Sequence, residues 1–405
     1  MKKFIAIICI TLFSNALFCQ WTQLSPTNTI EFRSLVAQGN LIIAGSEGRQ
    51  VYISTDNGST WRESKTGIES VVYVNCIAIT GTGILLGTDN GIYFSTDTGL
   101  TWTARNGGLT DLNVLRLAVN GQNFFAAGNS GIFYSPGAGT SWTAVNNGIN
   151  NLTMRAVFAT GNYVYAGGGG GVYITSNNGA NWTQINTGLP SIATAKHFTV
   201  IDNNIFVGTH GQGVYVSQIG TQSWTPANTG TTNLIIEKLI TVWSNIFAST
   251  WGQGIYVTTN SGTSWSQVNS GFPSLFGKGI AANSTHIFAG GSTDFAGIWR
   301  RLLSDMVVSV DKNTNSLPTE YQLEQNYPNP FNPSTVIKYS VPKESYVRLT
   351  VYDNLGREIE KLVVGTVAAG THKITWAPNN ITSGIYFITL NAGSSLFIKK
   401  AVLLK

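Results

Sequence analysis

The chain has 405 residues and a formal charge of +5, with only 11% Asp, Glu, Lys and Arg, 45 glycines and many Thr, Asn and Ser. That length holds two or more domains and at least one sizeable core. Low charge and turn-rich composition point to an extracellular all-β protein and away from a helical cytosolic enzyme, and no long segment carries the 3.6-residue apolar period of a helix.

Residues 1–19 read as a secretory signal peptide: Lys2 and Lys3 precede an apolar run from Phe4 to Phe13, and Ser14 and Asn15 break it. Ten helical residues reach about 15 Å, half the hydrocarbon core of a bilayer, so no transmembrane span is expected here. Cleavage after Cys19 leaves Gln20 first. A lipid anchor on Cys19 is the rival reading, opposed by the bulk of Phe18 just before it. Removal of the signal takes Cys9 and Cys19 with it and leaves Cys76 alone, which excludes an intramolecular disulfide.

From residue 20 to 303 the sequence keeps time. Trp21, Trp61, Trp102, Trp142, Trp182, Trp224 and Trp265 recur every 40 to 42 residues, and Tyr52, Tyr93, Phe133, Tyr173, Tyr215 and Tyr256 each sit nine residues before a Trp. A fixed offset of this kind marks a repeated hairpin, and two further apolar runs precede each one. Four strands in about forty residues is the size of a β-propeller blade. Trp21 is a fourth-strand Trp with no strands before it, whereas Trp299 is a third-strand aromatic with Val308 where the next Trp should be. If residues 21–26 complete the blade of residues 277–303, the result is a seven-bladed propeller closed by its N-terminal strand, with no blade edge left unpaired. Six blades and a loose end is the alternative.

The turns between third and fourth strands carry "STDNGSTW" at 54–61 and "STDTGLTW" at 95–102. Asp56 and Asp97 can accept backbone N–H groups of their own turns, the glycines permit positive φ, and Trp61 and Trp102 bury their rings between strands. The pattern resembles the Asp-box (BNR) repeat of sialidases, sortilin-type receptors, xyloglucan-degrading enzymes and photosystem II assembly-factor propellers. It is degraded in "SPGAGTSW", "TSNNGANW", "SQIGTQSW" and "TTNSGTSW". The resemblance implies a structural role for the boxes, with any functional groups on the opposite face.

Aligning the first strands on the turns that follow them puts Arg33, Asn75, Arg116, Arg155, Lys196, Lys238 and Lys278 in one column. Six of the twelve Lys and Arg between residues 21 and 301 share it, where chance would place fewer than one. Cations converging on a channel mouth focus a positive potential, which suits a carboxylated glycan, a phosphate or an acidic segment of a partner protein. Descent from one ancestral blade, each side chain capping the backbone link beside it, accounts for the column equally well. The turns between second and third strands reach the same face with Glu47, Asp89, Asn129, His210, Trp251 and Asp294. Trp251 beside a channel can stack on a sugar or pack between blades. Sialidases, by resemblance, require an Arg triad, a Tyr paired with an acid and an acid/base Asp. Arg33, Arg116 and Arg155 are present, but that family's start motif is absent and no Tyr–Glu pair can be assigned. Carboxylate-dependent glycoside hydrolysis at Glu47, Asp89 or Asp294 is the enzymatic alternative. The four His show no metal spacing, and Gly167 to Gly171 precede no helix, so neither a metal nor a cofactor is implied.

Residues 304–320 form a polar linker. Residues 321–405, with "NYPNPFNP" from Asn326 through Pro328 and Pro330, "YDNLGRE" and a terminal Lys399–Lys400 pair, closely resemble the type A C-terminal sorting domain of the type IX secretion system. That implies an Ig-like sandwich, recognition by the secretion machinery, and delivery by way of the periplasm to the medium or the outer-membrane surface. Alternating runs such as Val347, Leu349, Val351 fit its strands. Nine basic against five acidic residues place most of the net charge in this tail, and nothing points to nucleic acid.

Overall fold

The structure, a computed structural model, describes residues 21–306 and 320–404 apart from 25–29, 49, 138, 192, 274, 292–295, 379, 380 and 394. The signal peptide at 1–19, most of the linker and Asp294 lie outside the described residues. The chain divides into two compact units at Ser309 and Val310.

The first unit is built from seven four-stranded antiparallel sheets. Their first strands are Phe32–Gln38, Val74–Thr80, Val114–Asn120, Met154–Thr160, Ala195–Ile201, Ile236–Val242 and Gly279–Ala282, and we number sheets 1 to 7 by them. Successive first strands touch, and the last touches the first. Apolar cores lie between neighbouring sheets, for example Ile43, Ile53, Val74 and Leu86 between sheets 1 and 2, and Leu24, Phe32, Phe288 and Ile298 between sheets 7 and 1. The second strands are the most uniformly buried. That matches their near-continuous Ile, Leu, Phe and Ala content, with apolar layers on both faces.

The fourth strand of sheet 7 comes from the other end of the chain. Thr22–Leu24 pairs with Gly297–Leu302, placing Gln23 opposite Trp299. In the other sheets the residue opposite the third-strand aromatic is likewise two past a Trp: Ala104 opposite Tyr93, Ala144 opposite Phe133, Gln184 opposite Tyr173. Apart from Trp61, the tryptophans link their sheet to the one before it. Trp142, Trp182, Trp224 and Trp265 donate Nε1–H to Arg105, Val145, Ile185 and Ala227 carbonyls at 2.7–3.0 Å, and Trp21 does the same to Val268 at 2.9 Å. Their backbone N–H groups bond the connecting segment, Trp182 to Asn147 O and Trp21 to Ser270 O. Gly148 shows why that segment needs glycine: its φ is +92°, and a Cβ there would lie 2.2 Å from Trp182 O. Leu303 and Met306 are buried in the core of sheets 6 and 7, so the packed unit runs past residue 303, where the sequence suggested its end.

The second unit has a three-stranded sheet (Gln322–Leu323, Thr335–Val341, Gly370–Trp376) and a four-stranded one, ordered Glu358–Val367, Ser345–Asp353, Gly384–Ala392, Ser395–Leu403. Both contribute to one core around Ile337, Trp376, Leu349, Ile388 and Leu403.

Candidate functional site

The expected column of cations divides in two. In sheets 1 to 6 the pairing of first and second strands slips by one residue near the start of the first strand. The skipped residues are Arg33, Asn75, Leu115, Arg155, Lys196 and Glu237. Arg116 and Lys238 follow the bulge by one position, so they do not share a ring with Arg33, Arg155 and Lys196. A bulge re-aims side chains locally, and one residue of offset is enough to move a charge from rim to channel.

Carboxylates neutralise most of the rim. Arg33 pairs with Glu47; Lys278 bridges Glu31 at 2.6 Å and Glu47 at 2.8 Å; Lys196 meets Glu237 at 2.5 Å. Glu31, two residues before Arg33, and Glu237, which immediately precedes Lys238, were not singled out in the sequence. Arg155 is exposed and, among the described residues, has neither a hydrogen bond nor an ion pair.

Arg116 and Lys238 lie deeper. Arg116 Nη1 donates to Leu115 O at 2.7 Å, and Lys238 Nζ reaches Leu35 O in sheet 1 at 3.0 Å. Neither makes an ion pair among the described residues. Arg116, Lys196 and His197 line a cavity of about 210 Å³ formed by the first strands of sheets 3, 4 and 5, room for about seven waters or a small anionic group. Burial, with Arg116 beside it, brings the Lys238 ammonium down to about 8. Burial and the same cations hold His197 well below the ordinary imidazole value, so it is neutral, and its Nδ1–H donates to Phe198 O at 2.9 Å. Burial also lowers Arg116, without discharging a guanidinium. Cys76, fully buried nearby, is pushed up to about 12 by burial and remains a thiol. Among the described residues, the hydrogen-bond acceptors of Arg116 and Lys238 are thus backbone carbonyl oxygens.

The second-to-third-strand turns stand on the same face, because they bridge to residues entering the next first strand: Glu47 to Tyr73, His210 to Ile235, Trp251 to Phe276. His210 is exposed. Trp251 is exposed too, but its ring packs edge-on to Phe276 at 5.1 Å and lies 5.7 Å from Lys278 Nζ. Trp251 is thus exposed while one edge packs on Phe276. Burial pushes the Glu47 carboxyl up, but hydrogen bonds from Arg33 and Lys278 outweigh it and hold the group below its ordinary value. Asp89 Oδ1 accepts the N–H groups of Val72 and Tyr73, both at 3.0 Å.

At the opposite turns, Asp56 accepts Thr60 N–H at 2.8 Å and its hydroxyl at 2.6 Å, and Asp97 does the same with Thr101 at 3.0 and 2.6 Å. These bonds, the Thr60 hydroxyl first, bring Asp56 down to about 2. Asn177 and Asn260 accept the equivalent backbone N–H in their degraded copies. Trp102 is buried and donates to Ser64 Oγ at 2.8 Å; Trp61 is half-buried and bonds Gly58 O in its own turn at 3.1 Å.

In the tail the two ends of the sorting motif meet. Asn326 is buried and donates to Pro328 O and Thr335 Oγ1 at 3.3 and 3.0 Å. Gln325 and Asn329 both donate to Lys400 O, at 2.7 and 2.8 Å, while Phe331 N–H bonds Val402 O. The segment holding Pro328 and Pro330 is thereby laced along the last strand. Lys400 acts there through its backbone carbonyl, with its side chain exposed, while Lys399 pairs with Ile388 in the last ladder.

This is an exported chain that carries a β-propeller domain and a secretion tail. Residues 325–404 match the secretion system C-terminal sorting domain, and residues 147–295 match the DUF6242 beta propeller domain. No curated protein matches the chain. Among solved structures, PorZ, a surface component of the type-IX secretion system of Porphyromonas gingivalis, aligns with TM-score 0.54 and 14% identity over 93% of this chain and 59% of its own. The WD40 beta propeller domain of Doa1 gives 0.56 and 14% over 70% and 97%. YCF48 from Cyanidioschyzon merolae gives 0.53 and 14% over 70% and 98%. This chain spans about three-fifths of the PorZ structure's length, and likenesses at these identities show the fold alone. The sorting domain places the protein in the medium or at the cell surface by way of the periplasm. Among the described residues no helix is long and apolar enough to cross a membrane.

Proposed function

We propose that the mature protein is a non-catalytic, seven-bladed propeller, closed by its N-terminal strand, that docks an anionic group at the mouth of its channel after export on a type A, Ig-like sorting tail read by the type IX machinery. Closure is supported by Trp21, which repeats toward sheet 6 the bonds that every internal Trp from Trp142 onward makes toward the sheet before it. The Asp-box reading of Asp56 and Asp97 is supported by their self-contained turns on the face away from the channel mouth.

One observation carries the docking site: Arg116, which lines a cavity of anion size, and Lys238, which Arg116 repels, have carbonyl oxygens as their hydrogen-bond acceptors among the described residues. An incoming carboxylate, phosphate or sulfate gains charge-assisted bonds there and relieves the repulsion between the two cations. Arg155, exposed and near enough to Arg116 to act on it electrostatically, adds a further cation on that side. Arg33, Lys196 and Lys278 act instead as rim supports, their charge spent on Glu47, Glu237 and Glu31. Hydrolysis needs a carboxyl held protonated as general acid; Glu47 is shifted the other way and Asp89 is committed to two backbone N–H groups.

Titration of the mature chain with sodium sulfate at constant ionic strength tests the site. One saturable site is expected, weakened at least tenfold by Arg116→Gln and by Lys238→Met, with Arg62→Gln at the outer strand of sheet 1 unaffected. Sulfate binding that is indifferent to Arg116 and Lys238 would remove the proposal.

A further inference from the structure

The surroundings of the channel mouth narrow the class of ligand, granting the anion site just proposed. Among the described residues of the propeller unit, eight large apolar side chains are exposed, and six of them, Tyr73, Leu112, Leu152, Leu234, Trp251 and Leu275, stand on the mouth face at 38–44% exposure. Their placement follows the repeat. Leu112, Leu152 and Leu234 each lie two residues before a first strand, and Leu275 occupies the matching place ahead of sheet 7. The carbonyls of Leu112, Leu234 and Leu275 accept N–H groups from the second-to-third-strand turn of the preceding sheet, at Gly91, Gly213 and Gly254. The backbone is thus pinned while the side chain is presented to solvent. Exposed leucines at repeated positions on one face, around a cationic centre, are a surface prepared for burial.

A sugar is a poor match to this collar. Carbohydrate stacking needs an open aromatic face, whereas Arg33 lies over Tyr73 at 4.5 Å and Lys278 lies near the Trp251 ring with Phe276 against its edge. Leucine side chains offer a sugar no hydrogen bonds. They do suit Leu, Ile, Val, Phe or Met of a polypeptide, and a ring of apolar contacts around buried Arg is the usual anatomy of a protein interface. We infer that the ligand is a protein segment that places an Asp, Glu or C-terminal carboxylate at Arg116 and lays flanking apolar side chains on the leucine collar. Charge complementarity fixes the centre of the contact and the leucines exclude water around it.

Selection of a random twelve-residue peptide display library on the immobilised mature chain, beside an array of carboxylated and sulfated glycans, tests this. The expected result is enrichment of peptides that combine a carboxylate with two or more large apolar residues. A synthetic copy of the best should weaken at least tenfold with Arg116→Gln and at least tenfold with the paired change Leu112→Ser and Leu152→Ser. It should be unchanged by Leu100→Ser, an exposed leucine on the opposite turns. Because all three leucines are exposed, these variants should fold, and retention of sulfate binding by the paired variant confirms that its channel is intact. If glycans are retained through Arg116 while no peptide is enriched, or if enriched peptides ignore the paired leucine change, the collar inference fails and the anion site stands. If sulfate, glycans and peptides all ignore Arg116, both fall.

Discussion

Replacing Trp21 with Ala tests the join between the two ends of the propeller unit. The ring is 4% exposed, its Nε1–H bonds Val268 O at 2.9 Å, and its backbone N–H bonds Ser270 O. Burying a Trp removes about 150–250 Å² from water, an upper bound of about 4–6 kcal/mol at ~25 cal/mol/Å². Incomplete collapse around the lost ring brings the expected cost to about 3–5 kcal/mol. Urea unfolding of the mature chain followed by far-ultraviolet circular dichroism reads this out. With a slope of about 3 kcal/mol/M, the propeller transition should fall by about 1 M or more. Trp142→Ala, an internal staple with the same two bonds, should fall as far. Trp61→Ala should lose about half as much, because its ring is only half-buried and its Nε1–H stays within its own turn. If Trp21→Ala unfolds within about 0.2 M of the wild type while Trp142→Ala shifts by about 1 M, the N-terminal strand does not close the ring and the reasoning fails.

Gly148→Ala places a Cβ 2.2 Å from Trp182 O at a φ of +92°, and a cost of at least about 2 kcal/mol is expected in the same urea assay. The Lys238 ammonium titrates at about 8 in the folded chain against 10.5 ordinarily. Between those values the unfolded state holds a proton that the folded state has released, so stability should rise with pH there and show no such dependence below about 8. Thermal midpoints at pH 7.5 and 10 check this, and Lys238→Met should flatten the rise. Asn326→Ala removes a buried amide from the tail's opening turn and should cost about 1–3 kcal/mol, lowering the tail's own melting transition and leaving the propeller's unchanged. Asp56→Asn should be tolerated near neutrality, as Asn177 and Asn260 show. Because the Asp56 carboxyl is held at about 2, the wild type should lose more stability than the variant as pH falls from 4 toward 2.

The Trp and Tyr spacings placed the sheets, because each staple needs its ring at the same point of every repeat, and Gln23, two residues past the orphan Trp21, lies opposite the orphan Trp299. The tail was legible for a different reason: its signature residues are those that lace its first turn to its last strand. The site was legible only in outline. Counting six residues back from the left-handed turn residues Gly39, Gly161 and Asp202 reaches Arg33, Arg155 and Lys196, but the same count from Gly121 and Trp243 reaches Leu115 and Glu237. The one-residue offset that sets Arg116 and Lys238 apart was therefore present in the sequence and hidden by grouping residues by charge. The neutralising pairs could not be read at all. Lys278 with Glu31, and Lys238 with Leu35, join residues more than 200 apart in the chain, beyond the reach of any local pattern.

Whether the cavity receives an anion is decided most directly by where a bound one sits. Crystals of the mature protein grown without sulfate and soaked in selenate, measured at the selenium edge, give the answer by position. The expected anomalous peak lies in the cavity within hydrogen-bond reach of Arg116, and it is lost in Arg116→Gln crystals soaked alike. A cavity without a peak, when selenate is bound elsewhere on the same molecules, would contradict it.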